Sequence, residues 1–143
     1  MKLLLKYKKV VSDAIGPTKA HDSDAGFDLY SCEDSVFEPH GTNSVRLGIV
    51  VKIPKGYSAE IRPRSGMSLR SPLKCVLGTI DNGYRGEIKA IFFNTSDQPV
   101  HLPKGSKIVQ LVIRRDTPID VLEDENIDDE TDRGTNGFGS TGK

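Results

Sequence analysis

Several features that define common protein classes are missing from this chain of 143 residues. It has no tryptophan, two cysteines and three histidines, which is too few for a disulfide scaffold or most zinc-site patterns. No apolar run reaches the ~20 residues of a membrane helix, and the opening MKLLLKYKKVV is too short and too charged for a signal peptide. The 20 basic and 20 acidic side chains cancel, so we expect neither nucleic acid nor a membrane as a partner.

The cysteines, Cys32 and Cys75, form no CxxC pattern, so we expect a reducing, cytoplasmic environment, although a single disulfide would also fit their number. The length is that of one domain. No long segment has a 3.6-residue periodicity, and short stretches rich in β-branched residues alternate with Gly and Pro. This pattern predicts an all-β fold: a sandwich, a jelly roll or a barrel.

Strands are predicted over residues 3–11, 25–31, 45–53, 57–61 and 107–114. The first is expected at a sheet edge, because its lysines oppose aggregation. The tripeptide Pro-Lys-Gly at residues 54–56 and again at 103–105 predicts two turns. Only MSLRS, residues 67–71, has room for a helix, of one or two turns.

The stretch LGTIDNGYRGEI contains the strongest local signal. Asn82-Gly83 between strand-forming residues predicts a β-hairpin whose two central residues have positive φ. Asp81 and Tyr84 would then flank the tip, where a carboxylate, an aromatic ring and unpaired backbone groups could meet a flat hydrogen-bonding ring. A plain surface hairpin with a turn-favouring Asp is the alternative.

Two other short motifs carry charge. Arg64, Ser65 and Gly66 precede the short helix, where free N–H groups and a guanidinium would suit a phosphate; a capped turn with a surface Arg is the alternative. Asp28 stands between Phe27 and Leu29 in a predicted strand, where a lone charge normally points to solvent.

The end of the chain has an unusual composition. Residues 120–132 include eight acidic side chains, which predicts an extended linker. RGTNGFGSTG, residues 133–142, combines Arg, hydroxyls and glycine amides that can wrap phosphate with Phe138, which can stack on a ring. A disordered Gly/Ser tail is the alternative. We therefore divide the chain into a core (1–119), an acidic linker (120–132) and an arm (133–143).

Five motifs in this order resemble those of the dUTP nucleotidohydrolase (dUTPase) family: AGFDLYS (25–31), PRSGMS (63–68), GTIDNGYRGE (78–87), GSKIVQL (105–111) and RGTNGFGSTG (133–142). The resemblance implies a jelly-roll-like β fold that assembles as a homotrimer. It also implies that the C-terminal arm of one subunit closes an active site on its neighbours.

The same resemblance implies hydrolysis of dUTP to dUMP and pyrophosphate, with Asp81 as the general base that activates water. Tyr84 would pack under the deoxyribose and reject a 2′-hydroxyl. Asp28 would hold Mg²⁺ through water. The remaining implied substrate contacts are Gly78, Thr79, Ile80 and Lys89 on uracil; Arg64, Ser65, Gly66 and Gln110 on the phosphates; and Arg133, Gly137, Phe138, Gly139, Ser140 and Thr141 in the arm.

Three alternatives remain at this point. A dCTP deaminase, or a bifunctional dCTP deaminase and dUTPase, shares the fold and would need a carboxylate near the exocyclic amine, for which Glu87 is the candidate. A non-catalytic regulatory module could retain the fold, although Asp81, Tyr84 and the arm are all present. A purely structural jelly roll would leave the arm unexplained.

Overall fold

The computed structural model describes residues 2–140 and 142. Within them it has eleven strands and one helix. In chain order these are β1 (Lys6–Lys9), β2 (Gly26–Tyr30), β3 (Ser35–Phe37), β4 (Thr42–Arg46), β5 (Ile49–Lys52), β6 (Tyr57–Pro63), α1 (Ser65–Arg70), β7 (Leu73–Val76), β8 (Gly78–Ile80), β9 (Lys89–Asn94), β10 (Val100–Leu102) and β11 (Lys107–Arg115). The predicted all-β fold class is confirmed.

All strand pairs are antiparallel. The larger sheets have the strand orders β2-β11-β6-β8 and β4-β9-β7, and two further pairs are β1-β5 and β3-β10. Strand β1 is an edge, as its lysines predicted, but it is shorter than expected. One continuous core joins the sheets: Ile61 and Leu111 of the first belong to the same buried cluster as Phe92 of the second, and Phe92 packs edge-on against Phe37 with ring centroids 6.1 Å apart.

Both Pro-Lys-Gly turns form as predicted. The N–H of Tyr57 donates to the carbonyl of Pro54 at 3.2 Å, and the N–H of Ser106 donates to Pro103 at 3.2 Å. The glycines have φ of 81° and 82°, a conformation that only glycine adopts without cost at this turn position. Each turn starts a long strand, β6 or β11, that leads into the functional motifs.

The single strand predicted over residues 45–53 is wrong, because the chain changes sheets there. It leaves β4, which pairs with β9, and enters β5, which pairs with β1. Gly48 makes this possible with a φ of 69°. A side chain at Gly48 would also stand 2.8 Å from Cβ of Ala14, so both backbone conformation and space require glycine here.

The predicted hairpin at Asn82-Gly83 is wrong as well. A turn is present, since the N–H of Tyr84 donates to the carbonyl of Asp81 at 3.0 Å. Neither Asn82 nor Gly83 has positive φ, and no strand follows before β9. Strand β8 pairs instead with β6, a distant segment. A long-range pairing therefore replaces the local one.

Helix α1 begins at Ser65, two residues before the stretch 67–71 where a short helix was expected, and no side chain caps its N-terminus. No helix in the described part of the chain has the length and apolar character needed to cross a bilayer. After Arg115, residues 116–140 contain neither helix nor strand and nearly all are exposed.

Candidate functional site

A cavity of about 360 Å³ opens beside strand β8 and the turn that follows it. Six residues predicted from the sequence line it: Gly78, Thr79, Ile80, Asp81, Tyr84 and Lys89. Apolar side chains complete the wall: Ile61, Val76, Ile88 and Ile91. The volume is within the range of small-molecule sites. The combination of an apolar wall, a carboxylate and an aromatic ring suits a flat polar molecule.

The ring of Tyr84 has a fixed position at the edge of this cavity. Its hydroxyl donates to the carbonyl of Glu87 at 3.0 Å, and the ring lies across Gly86. A Cβ on Gly86 would stand 2.5 Å from Cζ of Tyr84, much less than any real contact. Gly86 therefore allows this ring orientation. No role was predicted for Gly86 from the sequence, although this glycine lies within the motif GTIDNGYRGE.

Glu87 also lines the cavity, but its carboxylate is already engaged. Nε of Arg46 donates to both carboxylate oxygens at 3.2 and 3.0 Å, and Nη2 donates to one of them at 3.0 Å. This hydrogen bonding raises the pKa of the Arg46 guanidinium. A carboxylate held in this way ties the loop to β4, and is poorly placed to handle protons on a nucleobase.

A second group of predicted residues lies on neighbouring strands of the four-stranded sheet. Asp28 on β2 is the register partner of Gln110 on β11. The Asp28 carboxylate accepts from Nε of Arg64 at 2.8 Å and lies 3.4 Å from Nζ of Lys107. Its side chain is 17% exposed. Asp28 thus does not simply point to solvent, because two cations surround it.

The amide of Gln110 is held beside this ion-pair cluster. Its Nε2 donates to the carbonyl of Pro63 at 2.9 Å. The side chain lies so close over Gly26 that a Cβ there would stand 3.2 Å from Cβ and Cδ of Gln110. Ser65 and Gly66 follow Arg64 in the uncapped first turn of α1, so backbone donors lie next to the guanidinium. This group can present several donors to an anion.

The structure does not unite the predicted residues into one site. Asp28, Arg64 and Gln110 do not line the cavity that contains Asp81 and Tyr84. The arm touches neither group: Arg133 donates from Nε to the carbonyl of Asn136 at 2.8 Å, and Phe138 is fully exposed. The other described arm residues, Gly137, Gly139 and Ser140, also lie outside the cavity, and Thr141 lies outside the described residues.

The carboxylates of the site bear on whether it can hold a metal ion. No group of three or more His, Cys, Asp or Glu side chains that could hold a metal occurs in residues 2–140 and 142. Asp28 is a single carboxylate beside two cations. This donor set fits a water-mediated contact to a Mg²⁺ ion that substrate phosphates already ligate, a common mode for this ion. It does not fit a site that binds metal alone.

Comparison with known proteins gives a consistent result. The family model described as dUTPase matches residues 12–142. A deoxyuridine 5'-triphosphate nucleotidohydrolase of Clostridioides difficile is 41% identical over 140 residues, 96% of this chain and 97% of the relative. The protein of the same name from Clostridium tetani is 42% identical over 141 residues, 97% of each chain.

The similar solved structures are dUTPases as well. The dUTPase of Staphylococcus bacteriophage 80alpha with dUpNHpp superposes with a TM-score of 0.92 at 28% identity, over 99% of this chain and 100% of that one. A mutant of the dUTPase from phage phi11 of S. aureus, described with a structural Mg(II) ion, has a TM-score of 0.83 at 25% identity. The match covers 87% of this chain and 99% of the phage chain.

Proposed function

Because the chain belongs to the dUTPase family, we propose that it hydrolyses dUTP to dUMP and pyrophosphate. The observation that carries this proposal is the cavity in which the carboxylate of Asp81 and the ring of Tyr84 meet beside the backbone of β8. The relatives' names and the phage enzyme bound to dUpNHpp support the same substrate. The reaction would supply dUMP and keep dUTP away from DNA synthesis.

In this reaction Asp81 takes a proton from a water molecule whose oxygen attacks the α-phosphorus. The new P–O bond forms as the bond from the α-phosphorus to the bridging oxygen breaks, and pyrophosphate leaves with that electron pair. A positioned base contributes ~10²–10⁴-fold to such a step. Asp81 is exposed in the isolated chain, so water reaches it freely before the site closes.

Selectivity comes from the walls of the cavity. Backbone groups of Gly78 to Asp81, together with Lys89, hydrogen-bond uracil, and the narrow slot leaves no room for the methyl group of thymine. The Tyr84 ring, fixed over Gly86, lies under the deoxyribose and excludes a 2′-hydroxyl. A steric barrier of this kind discriminates because the wrong substrate must displace a held side chain.

The phosphates bind the second group of residues. Arg64, the first-turn amides of Ser65 and Gly66, and Gln110 supply the donors, with Arg64 exchanging part of its contact with Asp28 for the anion. Asp28 would hold a Mg²⁺ ion through a coordinated water. When bound, the ion supplies positive charge that stabilises the developing charge on the phosphate oxygens.

A homotrimer would bring the separate groups together. The cavity, the phosphate-binding residues and the arm do not meet in one chain, which is what a site shared between subunits requires. The arm of one subunit, with Arg133 and the stretch from Gly137 to Thr141, then closes over the γ-phosphate while Phe138 stacks on uracil. Linker residues 120–132 span the surface between the core of their own subunit and the site that the arm closes.

We place this activity in the cytoplasm, without nucleic acid or membrane as a partner. Cys32 and Cys75 are free thiols, and burial raises the pKa of both, so they are protonated and unreactive at neutral pH. Free thiols, buried at Cys32 and partly buried at Cys75, suit a reducing compartment.

The test is pyrophosphate release from dUTP, dCTP, dTTP and UTP, measured in parallel with Mg²⁺ and with a chelator. We expect turnover of dUTP alone, weakened by the chelator. Ammonia release from dCTP would instead support a deaminase and assign Glu87 a different role. No turnover from the folded protein would support a regulatory binding module.

A further inference from the structure

The side chain of Asn82 makes an unusual set of contacts. Its Nδ2 donates to three main-chain carbonyls: Ile53 at 3.3 Å, Pro54 at 2.8 Å and Tyr57 at 2.8 Å. The amide has only two hydrogens, so one of them is shared between two acceptors. Ile53 and Pro54 belong to the segment that joins β5 to β6, and Tyr57 is the first residue of β6. One side chain therefore links two turns that are about 25 residues apart in sequence.

The acceptor segment is itself rigid. It contains the Pro-Lys-Gly turn with the Tyr57 to Pro54 hydrogen bond, and it lies between Ile53 and Ala59, both of which are buried in the core. The three carbonyl oxygens converge on one point and only accept hydrogen bonds, so the group at that point must be a donor. Asn82 thus fastens the 81–84 turn to a fixed part of the fold.

The 81–84 turn has little else to fix its position. It is not the tip of a β-hairpin, since β8 is three residues long and pairs only with β6. The ties from within the turn are local: Nη1 of Arg85 donates to the carbonyls of Asn82 and Tyr84 at 2.6 and 2.8 Å, and the Tyr84 hydroxyl donates to the carbonyl of Glu87. The contact between Arg46 and Glu87 lies three residues beyond the turn. The side chain of Asp81 makes no hydrogen bond within the described chain, so its location depends on the backbone that carries it.

We propose that Asn82 is a positioning residue for Asp81, holding the turn so that the proposed base faces its water in the right geometry. This inference rests on the proposed function, since it concerns the same reaction. Displacing a reacting group by about 1 Å can cost ~10²-fold in rate. Asn82→Ala should therefore lower kcat about 10-fold or more. KM for dUTP should change less than about threefold, because Asn82 contacts no predicted substrate group and the Tyr84 ring is held separately through its hydrogen bond to Glu87.

The experiment is a double-mutant cycle with Asp81→Asn, run with Asn82→Ala and with Asn82→Ser, which keeps one shorter donor. If Asn82 acts through Asp81, Asn82→Ala lowers turnover of the wild type but leaves the residual turnover of Asp81→Asn unchanged. The serine variant should fall between asparagine and alanine. Asn43→Ala, at an exposed asparagine of β4, is the matched control and should match the wild type.

Equal losses in both backgrounds would overturn the proposal, because they would mean a general effect on folding. A kcat for Asn82→Ala within twofold of wild type would overturn it too, and the proposed function would stand. A wild type without dUTP hydrolysis is a different result, which refutes the function itself. If the alanine variant does not fold, the serine variant answers the same question through the same cycle.

Discussion

Residues 78–88 and residues 117–140 both carry groups of the proposed site, but only the first segment is held by the rest of the chain. The first is paired to β6, pinned by Asn82 and tied to β4 through Glu87 and Arg46. The second contains Ile119, Val121 and Leu122 at 78%, 97% and 84% exposure. Its eight acidic side chains form no ion pair within the described residues.

The first segment is held in place by the chain itself, whereas under the proposed assembly the second would be held by another subunit. A structureless segment of this length is uncommon inside a compact domain and is usually functional or a linker. Apolar side chains left exposed along it gain stability when a partner surface covers them. We therefore expect the proposed base and sugar slot to be organised before substrate binds, and the arm to become organised on a neighbouring subunit.

The largest expected effect comes from replacing Asp81, the proposed base, within residues 78–88. Asp81→Asn should lower turnover of dUTP by ~10²–10⁴-fold, because the amide accepts no proton from water. Melting temperature and binding of dUpNHpp should be unchanged, since the side chain is exposed and makes no hydrogen bond in the described chain. Asp22→Asn, the same change at another exposed carboxylate, is the control. Turnover near the wild-type rate would remove Asp81 as the base.

The second effect comes from removing the segment that the chain leaves free. A chain ending at Asp132 should lose about 10²-fold in kcat/KM, because the closing groups are absent, and should keep its melting temperature and assembly. Sedimentation and thermal unfolding measure the second part. A large fall in melting temperature would mean that the arm contributes to the fold, contrary to its exposure.

Mixing these two variants sharpens the comparison. Co-expressed Asp81→Asn and truncated chains should form mixed trimers in which some sites combine an intact base with an intact arm from another subunit. Those sites should restore a measurable share of turnover, although each variant alone is nearly inactive. An arm that closes its own chain's site would give no recovery.

The sequence predicted most residues of the cavity, because the dense motif GTIDNGYRGE folds around one turn. It failed where distant segments decide the structure. Asn82 was expected to adopt positive φ next to glycine, but its amide bonds carbonyls about 25 residues away, which no local pattern reveals. The same holds for Arg46 and Glu87, 41 residues apart.

The prediction of a single strand over residues 45–53 was wrong for a related reason. Its β-branched residues fit a strand equally well on either side of Gly48, and only the close approach of Ala14 and Cys32 marks the place where the chain changes sheets. The prediction of the Pro-Lys-Gly turns was correct because proline restricts φ and glycine permits the positive φ that the turn needs, without help from distant residues. How the separate residue groups meet stays a prediction, since they do not meet within the single chain.

The smallest expected effect tests how closely the organised slot is fitted. Gly86→Ala places a methyl group where the Tyr84 ring now lies, and Gly86 has no positive φ, so any effect comes from displacing that ring. We expect the ratio of kcat/KM for dUTP to that for UTP to fall about 10-fold, a typical effect of a small steric change on selectivity. Gly83→Ala is the matched control, because it lies in the same loop and its Cβ would meet nothing within 4 Å.

Unchanged selectivity in Gly86→Ala, with loss of stability alone, would mean that the position of the Tyr84 ring does not control which sugar binds. Loss of selectivity in both variants would attribute the effect to the loop backbone, and only a loss confined to Gly86→Ala identifies Tyr84 as the group that the sugar meets.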